Sequence, residues 1–80
     1  MAVSEAVREL EAQCARRALK NGGAITAEDA LLRVLLAGGA GACAEAARIR
    51  AGAALLDHDY IAYWVDALGL QASWREVERS

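Results

Sequence analysis

The stretch Asp57-His58-Asp59-Tyr60-Ile61-Ala62-Tyr63-Trp64-Val65-Asp66-Ala67-Leu68-Gly69 decides the fold. Its apolar positions Ile61, Trp64, Val65 and Leu68 stand at i, i+3, i+4 and i+7, the spacing that gathers side chains on one face of an α-helix. Either Asp57 or Asp59 can accept from the free N–H groups of the first turn, and Gly69 supplies the residue that stops the helix. Leu70 follows where a helix-ending motif places its hydrophobic contact. Ser73 with Glu76 reads as a capping box opening a short last helix that carries Trp74 and Val77. The aromatic residues, Tyr60, Tyr63, Trp64 and Trp74, all lie in this C-terminal part. Aromatic side chains bury the largest area per residue, so this part is expected to hold the core together.

Upstream, Val3, Val7, Leu10, Cys14 and Ala18 recur at spacings of four and three, predicting an amphipathic helix from about residue 4 to residue 21. Its acids Glu5, Glu9 and Glu11 come early and its bases Arg16, Arg17 and Lys20 late, as the helix macrodipole favours, and Asn21-Gly22-Gly23 ends it. Thr26 followed by Glu28 and Asp29 reads as an N-cap with acids in the first turn. The helix it opens has Leu31, Leu32, Val34, Leu35 and Leu36 nearly all round, so it should be the most buried. Gly38-Gly39-Ala40-Gly41 separates it from an Ala-rich third helix, about residues 42–51, carrying Glu45, Arg48 and Arg50. The chain has no Pro and no alternating β-branched run, and Ala, Leu, Arg and Glu dominate it. The expected fold is all-α: a single compact domain over residues 1–80, an array of four to five helices.

At 80 residues the chain is long enough for one domain, whose stability margin is thin because so small a fold buries only roughly 60 to 65% of its unfolded surface. Net charge is −2, which leaves no global field drawing it to nucleic acid or to an anionic membrane. The longest uncharged stretch, residues 34–44, falls short of the roughly 20 residues of a membrane-spanning helix. Residues 1–5 lack the basic start and apolar run of a secretory signal, so a cytoplasmic location is expected. Cys14 and Cys43 each sit among Ala residues in no metal-ligand spacing and read as small buried hydrophobes, with a disulfide or a reactive thiol as the alternatives.

Chemistry has few places to reside. Asp57-His58-Asp59 is the one cluster of titratable groups, offering in principle a general base or a metal-ligand pair. Adjacent residues at a helix start point apart, however, and the chain has a single His. Capping and dipole complementarity account for both Asp residues. The Gly38–Gly41 run precedes a helix as phosphate cradles do, but it follows a helix where those motifs follow a strand, and it lacks their Lys-Ser/Thr pair. No catalytic residue, cofactor or metal site is expected. Helix two, the glycine turn and helix three form a helix-turn-helix-like order with Arg48 and Arg50 near the end of the second helix, available to phosphates or base edges, which keeps a small nucleic-acid-binding regulator as an alternative. The start of that second helix, Ala42-Cys43-Ala44-Glu45, is small or acidic where base contacts are normally made.

From about residue 25 to residue 77 the motifs Thr26-Ala27-Glu28-Asp29, Leu35-Leu36-Ala37-Gly38, Ile49, Asp57-His58-Asp59-Tyr60-Ile61-Ala62-Tyr63-Trp64 and Leu68-Gly69 occur in that order. This order resembles the C-terminal helical segment of bacterial nucleotidyltransferases of the minimal and abortive-infection types. The chain departs from that pattern at Val34, where the family carries Lys, and at Gly39-Ala40-Gly41-Ala42, where its loop is basic and then acidic. The family's catalytic sheet, which precedes this segment, has no counterpart in these residues, so no catalytic residue carries over. What the resemblance implies is an accessory or remnant helical module of a nucleotidyltransferase-like system.

The residues themselves point to a non-enzymatic protein-interaction domain that acts by self-association or by binding a partner protein. The first helix and the aromatic segment are the expected contact surfaces, through Val3, Val7, Leu10, Tyr60, Tyr63 and Trp74. The helix-one stripe can extend a core shared with a second copy, which would offset the thin stability margin. Packing within its own domain is the competing reading of the same stripe, and core filling that of Trp74 and the tyrosines.

Overall fold

In the computed structural model, which describes residues 3–79, the helical periodicities become five helices among the described residues. They are α1 (Val3–Lys20), α2 (Ala27–Ala37), α3 (Ala42–Gly52), α4 (His58–Ala67) and α5 (Gln71–Arg79). Thr26 caps α2, its side chain accepting from the Asp29 N–H, and Asp57, not Asp59, caps α4 by accepting from the Tyr60 N–H. α3 opens on Gly41 with no side-chain cap, and a single residue, Ala46, is buried along it.

The start of α5 corrects the capping-box expectation. The helix begins at Gln71, the Leu70 carbonyl accepts from the Trp74 N–H, and Ser73 lies inside it. The cause is the ending of α4. Gly69 adopts φ 68° and turns the chain so tightly that the Leu70 N–H reaches back to the Val65 carbonyl at 2.9 Å. That left-handed turn feeds Leu70 directly into the next helix. Gln71 then donates from its side chain to Asp66, tying the two helices across the turn.

Two adjoining cores explain why α2 is apolar nearly all round. Leu32 faces a cluster of Ala6, Leu10 and Cys14 from α1 with Ile61, Trp64, Val65 and Leu68 from the α4 region. Leu31 and Leu35 face a second cluster with Ala46 from α3 and Val77 from α5. Successive residues on a helix are about 100° apart, so neighbouring Leu31 and Leu32 serve different sides of the molecule. Leu70 and Trp74 pack against both clusters and join them.

Candidate functional site

The expected contact residues are divided between interior and surface. Leu10 is 1% exposed and belongs to the core, which corrects its assignment as a contact residue. The helix-one stripe is consumed by the matching stripe of α4, so Leu10 has no area left for a second molecule. Val7 is half-buried against the same cluster, and Trp74 is half-buried where the two clusters meet. Tyr60 is half-buried as well. Val3, at 54%, and Tyr63, at 55%, remain open to solvent, and the Tyr63 ring stands edge-on to Trp64 with centroids 5.1 Å apart.

Behind this surface lies a polar network that joins α1, α2 and α4. Asp29 is fully buried in the first turn of α2. One of its carboxylate oxygens accepts from Arg17 Nε at 3.2 Å, and the other accepts from the Tyr60 hydroxyl at 2.5 Å. Arg17 also donates to Glu28 at 3.1 Å and to the Thr26 hydroxyl at 3.4 Å, and its guanidinium lies 3.9 Å from the centre of the Tyr60 ring. Glu28 in turn accepts from the Asp57 N–H at 2.9 Å, so the caps of α2 and α4 are linked. Among the described residues no buried side-chain nitrogen or oxygen is left without a partner.

The electrostatics follow from that burial. Burial raises the Tyr60 hydroxyl above its ordinary value near 10, and the hydrogen bond to Asp29 and its charge add to the rise, against the opposing charge of Arg17. Burial also raises the Cys14 thiol above 9.0, with Asp29 adding to the effect. Both carboxylate oxygens of Asp29 are engaged and water does not reach it. The network is built to hold three helices in register, and it offers no vacant position beside the carboxylate for a reacting atom.

The other residues singled out by the sequence stand apart from it. Asp57 is spent on capping, and His58 and Asp59 are exposed on different sides of the helix start. Cys14 and Cys43 are free, and the Cys43 thiol donates to the Ser73 carbonyl at 3.8 Å. Among the described residues no three His, Cys, Asp or Glu side chains gather as metal ligands, and no helix is long and apolar enough to cross a membrane. The glycine turn borders an open groove of about 480 Å³ with Arg33, Glu45 and Arg48 at its sides. None of its lining side chains is buried, so nothing rigid is aimed into it.

Sequence reading recognised Thr26, Glu28 and Asp29 as a helix start and missed that Asp29 is a buried partner of Arg17 and Tyr60. Residues 12 and 31 positions away supply its hydrogen bonds, and no local spacing announces contacts at that range. No family model matches the chain, and neither curated proteins nor solved structures give a match.

Proposed function

We propose that this chain is a cytosolic, non-enzymatic protein-interaction domain, acting by self-association or by binding a partner protein through the surface beside α1 and α4. The observation that carries the reading is Tyr63. A large aromatic side chain on α4 is left 55% exposed, while Trp64 is buried in the core and Tyr60 is half-buried against it. Tyrosine held in one orientation by a packed ring is the kind of side chain that anchors protein contacts, because little freedom remains to be lost on binding. Val3, at the start of α1, is a second apolar side chain left exposed, at 54%.

Substitution of the exposed ring separates contact from core. Tyr63→Ala is expected to leave the helical circular dichroism signal and melting temperature close to wild type while lowering association, read as solution mass by light scattering and as retention of a captured partner. A variant that loses its helicity would place Tyr63 in the fold and not in an interface.

A further inference from the structure

One flank of α1 carries charge in two blocks, with Arg8 on its solvent edge beside the acidic one. Glu5 and Glu9 stand one turn apart near its start, Arg16 and Lys20 one turn apart near its end, and Ala12 lies between them. At 100° per residue these five positions share about 80° of arc, centred about 120° round the helix from the buried stripe of Ala6, Leu10 and Cys14. All five are exposed. Ion pairs among the described residues engage only Arg17 and Arg79 as cations and Glu28, Asp29 and Glu76 as anions, so none of the four α1 charges is paired. Like charges at i, i+4 work against a helix, and this face has two such pairs. The macrodipole favours acids early and bases late at any angle round the helix. It does not explain why these four share one face with a methyl-sized side chain at its middle.

We infer that this face docks a second copy of the chain, α1 against α1 in antiparallel sense, a deepening that rests on the protein-interaction reading above. Glu5 and Lys20, like Glu9 and Arg16, are equidistant from a point between Ala12 and Gln13. A two-fold axis through that point sets each acid against a base of the partner helix, and Ala12 lets the helices approach closely. A parallel pair would set acid on acid and base on base. The antiparallel interface is isologous, each contact occurring twice.

Sedimentation equilibrium at low salt, from micromolar to near-millimolar concentration, tests the pairing, with circular dichroism confirming that each variant folds. The wild-type chain is expected to be a reversible dimer that weakens as salt is added. Glu9→Arg or Arg16→Glu alone alters two contacts per dimer and should raise the dissociation constant about tenfold or more. The combined Glu9→Arg, Arg16→Glu variant restores opposite charges and should return to within about threefold of wild type. A dimer indifferent to either reversal, or one that the combined variant fails to restore, overturns the antiparallel α1 pairing while leaving self-association standing. A chain that stays monomeric throughout overturns self-association on any surface and leaves only the binding of a different partner.

Discussion

At the residue scale Asp29 concentrates the energetics. Its carboxylate is fully buried between Arg17 and Tyr60, and Arg17 keeps 26% of its side chain exposed. Removing one member of a buried pair leaves the others desolvated without compensation. Asp29→Ala is therefore expected to cost about 3 kcal/mol. A domain of this length has about 4–12 kcal/mol in all, and the melting temperature should fall by about 12 °C or more in a thermal circular dichroism scan. Tyr60→Phe removes one donor to the same carboxylate and should cost about 1–3 kcal/mol. It also changes the pH dependence. The folded-state value of the Tyr60 hydroxyl lies above its unfolded value near 10, so its contribution is fully present below pH 10 and is lost as pH rises beyond it. The Cys14 thiol, raised above 9.0, acts with the same sign. Wild-type stability should thus fall with alkalinity from about pH 9 upward, and denaturant titrations across that range should show a shallower fall above pH 10 for Tyr60→Phe.

At the scale of single helices, two glycines make a matched pair of tests. Gly69 holds φ 68° and a Cβ there would meet open space. The cost of Gly69→Ala is then purely conformational, about 1–2 kcal/mol, with the α4–α5 turn the part that loosens. Gly52, the last residue of α3, has no left-handed φ and equally open surroundings. Gly52→Ala should stabilise by about 0.4–1 kcal/mol, since the folded conformation accepts a side chain and the unfolded chain has fewer states to occupy. Chemical denaturation of the two variants beside wild type gives shifts of opposite sign if the backbone geometry is as described. The same scale shows where local reading succeeds. Thr26 and Asp57 cap because an oxygen-bearing side chain beside a helical run has the N-terminal N–H groups within reach. Ser73 and Glu76 have the capping-box spacing too, yet the turn at Gly69 has already delivered Leu70 and Gln71 into helical geometry, so no start is left for Ser73 to cap.

Across the whole molecule, stability depends on the joint between the two cores. Trp74 is half-buried but packs against both, so Trp74→Ala is expected to cost about 3 kcal/mol and to broaden the thermal transition as the α5 side loosens. Tyr63→Ala, by comparison, should stay within about 0.5 kcal/mol of wild type. Calorimetry on the two variants distinguishes a side chain that fastens the fold from one that faces outward, although both are aromatic residues of the same C-terminal part.

What the sequence alone determined was the all-helical class, the helices and most of their ends. Those are consequences of 3.6-residue periodicity, of capping chemistry and of glycine conformation, each decided within a few positions along the chain. Which face of α1 is buried was also readable, but not what covers it. Val7, Leu10 and Cys14 form as good a stripe for a second molecule as for α4, and only the packed arrangement shows that Ile61 and Trp64 of the same chain fill that role. The tertiary structure likewise decided that Asp29 is the buried link between three helices and that Tyr63, one turn from Tyr60, is left outside. Burial is a property of what arrives from distant positions: residues 17 and 60 meet residue 29 only when α1, α2 and α4 are already in place.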